Sequence, residues 1–198
     1  MKLYDVARSG NCHKVRMLLA QLSLPHEIVA VDLPGGETKL PAFLKLNPRG
    51  QVPVLEDAGE IIWDSQAILV YLARKQSDET WLPTAPLTMA RAMQWLAVSE
   101  NEILYGLARA RAALHFKAPW SVADSQALGT QALILLETHL TQREWLAASH
   151  PTIADIACYP YVALAPRAGL SLDAYPAIVA WIRRIQAWPN YTGMPGMF

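Results

Sequence analysis

Apolar positions early in the chain switch between two periods. KLYDVA, from Lys2 to Ala7, reads as a short strand. Val15, Leu18, Leu19 and Leu22 then recur at helical spacing, with Lys14, Arg16 and Gln21 between them. EIVAVDL, from Glu27 to Leu33, is β-branched and strand-like, and PGGETKLP breaks the pattern into a loop. VPVLEDAGEIIWD reads as two short strands around a turn containing Asp57, Ala58 and Gly59. DSQAILVYLARK returns to a helix with Ile68, Leu69, Tyr71 and Leu72 on its apolar side. The order is βαβ, then ββα. The first strand pair needs a parallel crossover and the last is a hairpin, so a mixed sheet is expected.

Beyond about Ser77 the strand pattern stops. SDETWLPTAP is polar, carries two prolines and reads as a linker. Met89, Met93 and Leu96 mark a long helix running toward Leu114, and Leu128, Ala132, Leu135 and Leu136 mark another. Thr152 and Asp155 form a capping-box pattern before IACYPYVAL, inside which Pro160 is expected to kink the helix or end it early. Ile178, Ile182, Ile185 and Trp188 mark the last helix. The expected organisation is an α+β domain over 1–76, a linker over 77–86 and an all-helical bundle over 87–198.

Composition narrows the partners. Apolar residues are 53% of the chain and charged residues 17%, a balance that favours a buried core over disorder. The seven tryptophans suit a large internal core or a buried surface between subunits. Seventeen basic and 17 acidic residues cancel, and no basic tract stands out, so neither nucleic acid nor an anionic membrane is an expected partner. Cys12 and Cys158 are far apart in sequence and offer neither a disulfide framework nor metal-ligand spacing. MKLYDVARSG reaches a polar turn too soon for a secretory leader, and no apolar run is long enough to span a bilayer. A cytoplasmic location is the expectation.

Three stretches carry candidate chemistry. Asp64-Ser65 stands between a strand and a helix. Both are capping residue types, and together they also match the ammonium and carboxylate of an amino acid at a helix N-terminus. In NPRGQVPVL, Pro53 lacks an N–H and belongs at a strand start. A cis bond there would turn the Val52 backbone outward to pair with a peptide-like ligand, and the plain alternative is a structural turn. SGNCHKVR, from Ser9 to Arg16, opens the first helix. Its Ser9 and Asn11 are turn and cap types, at a place where an anion, including a thiolate, is stabilised. No serine-hydrolase elbow is present.

In this order, S-G-N-x-x-K-V-R, LNPRGQVPVL, DSQAILVYLA and TIADI resemble the cytosolic glutathione transferase superfamily, most closely its serine-type bacterial members related to the theta and delta classes. The resemblance covers nearly the whole chain. It implies a thioredoxin-like first domain, an all-α second domain, a homodimer, and glutathione as co-substrate with no permanently bound cofactor and no metal. It assigns the γ-glutamyl group to Asp64 and Ser65, the cysteinyl unit to the Val52 backbone before Pro53, and the glycine carboxylate to Gln51, Thr38 and Lys39. Ser9 aligns with the residue that donates to the sulfur, while Asn11 either assists or caps the helix.

The reactive cysteine of thiol-transferring classes would stand where this chain has Ser9. Cys12 is therefore expected to pack, and His13, on the same turn, to face solvent. The zeta-class signature Ser-Ser-Cys-Ser would put its cysteine at Asn11, which weighs against a maleylacetoacetate-type isomerase. Asp64 stands where Glu is more frequent. Tyr105, Arg109, Arg111 and Phe116 either line an electrophile pocket or serve packing and surface. The implied activity is conjugation of glutathione to a small apolar electrophile. The alternatives are a non-catalytic interaction or stress protein and a glutathione-dependent isomerase or reductase.

Overall fold

A computed structural model describes residues 1–76 and 79–198. The first half runs β1 (Lys2–Asp5), α1 (Gly10–Gln21), β2 (Glu27–Ala30), a 3-10 turn (Glu37–Lys39), α2 (Pro41–Leu46), β3 (Val54–Asp57), β4 (Glu60–Trp63) and α3 (Ser65–Lys75). The four strands lie in the order β2-β1-β3-β4. β1 runs parallel to β2, and the β1–β3 and β3–β4 pairs are antiparallel. The mixed sheet is thus as the pattern implied. Ala58 and Gly59 join β3 to β4 with φ of 52° and 88°, the left-handed pair that a two-residue hairpin turn needs.

Alternation along the strands divides the core. Leu3 and Leu55, register partners, enter the main cluster with Leu18, Leu19, Ile68, Leu69 and Leu72 of α1 and α3. Tyr4 and Val54, one residue on, turn to the other face and pack with Val31 and Phe43. Phe43 comes from α2, for which the sequence pattern predicts no element. It is only six residues long, and Pro41 at its first turn reads equally as a loop signal. β2 also stops sooner than its β-branched run suggests, because beyond Ala30 the chain leaves the sheet edge and Val31 turns inward.

The second half contains α4 (Pro86–Val98), a π-helical stretch (Ser99–Ala108), α5 (Arg109–Phe116), α6 (Val122–Leu140), α7 (Ile153–Ala163), a 3-10 turn (Ala165–Ala168) and α8 (Pro176–Gln186). The expected linker begins at Ser77 and Asp78, which lie outside the described residues. Its later part is not a free tether, since Trp81 and Leu82 are buried and the Ile153 N–H donates to the Trp81 carbonyl at 2.8 Å.

The long helix toward Leu114 exists, but its buried face is Ala92, Trp95, Leu96 and Ser99. Met93 is exposed, as is Leu135 on α6. An apolar stripe gives the period of a helix but not which stripe meets the core. The wider π turn moves the side chains after Ser99 out of α-helical phase. There the chain crosses α6 at close range. A Cβ on Gly106 would lie 2.4 Å from the backbone nitrogen of Gly129, so Gly106 has no room for a side chain.

α7 is the hydrophobic axle, with every residue buried. Pro160 does not end it, and the helix continues through Ala163. The Leu164 N–H takes up the ladder again at the Pro160 carbonyl, 3.1 Å away. The segment is held on all sides, so packing outweighs one lost hydrogen bond. Among the described residues, no helix is long and apolar enough to cross a membrane.

Candidate functional site

α1 and α3 both begin beside the loop that enters β3. Together these three segments form a small cleft, lined by Asn11, Asn47, Arg49, Gln51, Val52, Pro53, Asp64 and Ser65. Its loop wall is built by buried Asn47, whose Nδ2 donates to the Gln51 carbonyl at 2.8 Å and whose Oδ1 accepts from the Arg49 N–H at 3.0 Å. The Val52–Pro53 bond is cis. Lys39 lies outside the cleft lining and donates through Nζ to the Gly50 carbonyl at 3.1 Å. Thr38 is buried beneath the same loop. Of the residues that the resemblance assigned to glutathione, the structure therefore gathers Gln51, Val52, Pro53, Asp64 and Ser65 in one wall and places Thr38 and Lys39 behind it.

Asp64 caps α3. Its Oδ1 accepts from the Gln66 and Ala67 N–H groups at 2.9 and 3.3 Å, and its Oδ2 meets Arg49 Nη1 at 3.1 Å. Its φ of 79° lies where a non-glycine residue is strained, a condition that clusters at ligand sites. Beside it, Ser65 Oγ is buried without a hydrogen-bond partner, and so is Asn11 Oδ1 across the cleft. Buried polar atoms are nearly always paired. Two orphans in one small cleft mark places for a ligand's donors.

Ser9 stands at the N-cap of α1, its Oγ accepting from the Cys12 N–H at 3.3 Å. Accepting uses an oxygen lone pair and leaves the hydroxyl proton free to be donated. Gly10 follows because α7 comes so near. A Cβ there would sit 2.7 Å from the Tyr161 ring.

The family profile of the glutathione S-transferase N-terminal domain matches residues 8–75, and that of the C-terminal domain matches residues 119–184. The chain belongs to the glutathione S-transferase family. Glutathione S-transferase 3 of Zea mays is 34% identical over 96% of this chain and 91% of its own length. A maleylacetoacetate isomerase of Pseudomonas aeruginosa is 34% identical over 90% of this chain and 87% of its own. The crystal structure of a glutathione S-transferase from Pseudomonas fluorescens superposes with a TM-score of 0.92 at 35% identity, covering 98% of both chains.

This transferase-family chain buries both of its cysteines. Cys12 is fully buried, and burial pushes its thiol up to about 12 although Ser9 and the Val6 N–H favour the thiolate. It packs, as the resemblance implied. His13 does not face solvent as expected. Only 1% of it is exposed, because the first turn of α1 is covered by the helical half as well as by the sheet. Burial, with Arg16 nearby, holds its imidazole down to about 3, and its Nε2 has no partner.

The folded pKa of His13 therefore lies below the unfolded value of about 6.5. Between those values the unfolded chain takes up a proton that the folded chain refuses, so stability present above pH 6.5 is lost as the pH falls. Measured against His13→Leu by urea denaturation, wild type should lose about 3 kcal/mol between pH 7 and pH 4, a difference from which the slopes of other groups cancel. Equal acid slopes in both proteins would contradict the assignment.

Lys14, read from the sequence as a polar-face residue, is fully buried as well. Its Nζ donates to Ser99 Oγ at 3.1 Å and lies 3.6 Å from Glu100. Gln66 Nε2 donates to the same two groups, at 3.0 Å each, and Ser99 Oγ donates to the Ala157 carbonyl at 2.8 Å. Burial pulls the Lys14 ammonium below its usual range, while Glu100 and Asp64 favour its charge. This network ties the starts of α1 and α3 to the helical half and fixes the width of the cleft. Sequence reasoning missed it. The residues are present in SGNCHKVR and DSQAIL, but their partners lie 33 and 85 positions away.

The four residues read as pocket or packing form two stacks. Arg109 lies over the rings of Tyr105 and Trp120, at 4.1 and 5.2 Å. Arg111 lies over Phe116 at 5.1 Å and donates to the Arg8 carbonyl at 3.2 Å, which brings α5 next to Ser9. A larger groove, lined in part by Arg91, Arg143 and His150, shares no residue with the cleft.

Proposed function

We propose that this protein is a glutathione transferase that binds glutathione in the cleft between α1, α3 and the loop before β3, and activates its thiol at Ser9. The observation that carries this reading is the pairing of orphaned Ser65 Oγ with the Asp64 carboxylate at one helix N-terminus. That arrangement suits the zwitterionic γ-glutamyl end, with the carboxylate at the helix start and the ammonium at Asp64. Val52 supplies backbone for the cysteinyl unit, and Gln51 faces the glycine carboxylate on the loop that Thr38 and Lys39 support.

Ser9 donates its hydroxyl to the sulfur, and the N-terminus of α1 adds its partial positive charge. Asn11 Oδ1, an acceptor, suits a glutathione N–H better than the thiolate. The thiol proton passes to solvent, the sulfur pair attacks the electrophile, and Phe116 and Tyr105, both exposed, offer an apolar face for the electrophile's body. Disulfide exchange fits poorly, since Cys12 is buried and protonated. A homodimer belongs to this reading, supported by the apolar surface at Leu87 and Met93 of α4.

The test is the ultraviolet absorbance of the bound thiolate against pH. A free thiol titrates near about 8.5, and a hydrogen bond to a charged acceptor contributes about 1.5–3 kcal/mol, or about one to two pH units. Wild type should ionise bound glutathione at least about one unit below the free thiol, and Ser9→Ala should return most of that shift. Identical curves would remove Ser9 from the mechanism. Failure to bind glutathione would leave a non-catalytic scaffold.

A further inference from the structure

Arg111 is 8% exposed, which makes it one of the few charged groups inside the fold, and among the described residues it forms no ion pair. Other arginines near the cleft are paired, Arg16 with Asp5 and Arg49 with Asp64. Among the described residues no acidic group forms an ion pair with Arg111, Arg8 or Arg167. The polar contact of Arg111 is with the Arg8 carbonyl, and both guanidinium groups lie over the half-exposed ring of Phe116, at 5.1 and 6.0 Å. Burial lowers its affinity for a proton, and so do Arg167 and Arg8, with Tyr161 acting the other way. A buried charge is ordinarily paired, and an unpaired one is costly. Here the charges around it have the same sign, so the missing partner is an anion. The cluster begins at the residue before Ser9, on the side of the helical half, away from Asp64 and the loop wall of the cleft.

We propose that the electrophile taken by this site carries a carboxylate beside its apolar body, held by Arg111 and Arg8 over Phe116. The proposal rests on the glutathione reading above and adds the substrate class to it. The planar guanidinium fork of arginine matches a carboxylate in two parallel hydrogen bonds, which a neutral electrophile cannot make. Arg8 precedes Ser9 in the chain and Arg111 reaches the Arg8 carbonyl, so an anion held by the pair lies on the Ser9 side of the site. The thiolate sulfur forms a bond to the electrophilic carbon, the displaced π pair moves onto the activating group, and water returns the proton to carbon.

The probes are β-nitrostyrene and 4-carboxy-β-nitrostyrene, each rate divided by its uncatalysed rate with glutathione. Wild type should favour the carboxylated probe by about 10-fold or more in kcat/KM, the size of one charge-assisted hydrogen bond, and the preference should shrink as salt rises. Arg111→Lys, which keeps the charge but loses the fork, should reduce that ratio several-fold. Arg8→Gln, at an exposed position that leaves the core untouched, should reduce it as well. Glutathione affinity and the bound thiolate titration are measured on the same proteins.

A wild-type ratio at or below one, with conjugation intact, overturns the proposal alone, and so does a ratio unchanged in both variants. A thiolate titration or glutathione affinity that weakens in Arg111→Lys while the ratio stays fixed assigns the charge to glutathione and overturns it too. Absence of glutathione binding, or of conjugation with either probe, overturns the transferase reading and this proposal with it.

Discussion

Asp155→Ala is expected to destabilise the protein by about 3–5 kcal/mol. Asp155 is fully buried at the start of α7, where backbone, hydroxyl and indole donors converge on it. Its Oδ2 accepts from the Thr152 N–H at 2.9 Å, closing the capping box with the Thr152 side chain. Its Oδ1 accepts from the Leu146 N–H at 3.1 Å and from Trp181 Nε1 at 2.9 Å. Alanine would leave two backbone donors and an indole N–H unpaired in the core, each at a cost of about 1–3 kcal/mol, and would open a gap beside Trp181, itself fully buried.

Burial pushes the Asp155 carboxyl up to about 6, against the donors that pull it down, so it is ionised at pH 7. Because the folded value exceeds the unfolded one of about 3.9, the folded chain holds the extra proton between them, and the group's contribution to stability declines as pH rises from about 4 to about 6. The alanine variant should lack that slope. Urea denaturation at pH 7 checks the magnitude, and a difference below about 1 kcal/mol would mean that water replaces the carboxylate.

The second large effect concerns Asp64. In Asp64→Asn the side-chain oxygen can still accept from the Gln66 and Ala67 N–H groups, so the cap on α3 survives, but the charge is gone. Glutathione affinity should fall about 10- to 100-fold, the worth of a charge-assisted contact to an ammonium, while the melting temperature stays nearly constant. Asp64→Ala should lose both, with the cap adding about 1 kcal/mol of destabilisation. Calorimetric titration with glutathione distinguishes them. An asparagine variant that binds as tightly as wild type would mean that Arg49 already satisfies the carboxylate, and that the ammonium lies elsewhere.

Much of the site was legible as chemistry and little of it as geometry. Asp64-Ser65 between strand and helix announces a capped N-terminus, and the structure adds that Ser65 Oγ is left without a partner. Pro53 announces a corner, and the corner holds a cis bond. Lys14 and His13 misled for a common reason. Polar residues on an amphipathic helix are assigned to solvent by default, yet α1 is covered on two sides, by the sheet with α3 and by α7, so its polar face is interior too. Met93 misled in reverse, an apolar residue left outside because the buried stripe of α4 runs through Ala92, Trp95 and Leu96.

The sequence by itself determined what is written in short-range order. The strand and helix periods, the hairpin at Ala58-Gly59, the capping box at Thr152 and Asp155, and four motifs in register that resemble one family all depend on residues a few positions apart. Only the tertiary structure decided which polar groups lost water. The buried Lys14–Gln66–Ser99–Glu100 network, the orphaned oxygens of Asn11 and Ser65, and an Arg111 guanidinium with no ion pair among the described residues arise where two halves of the chain close on one another. The free energy of a polar group depends on its surroundings in three dimensions, and distance along the chain does not encode that.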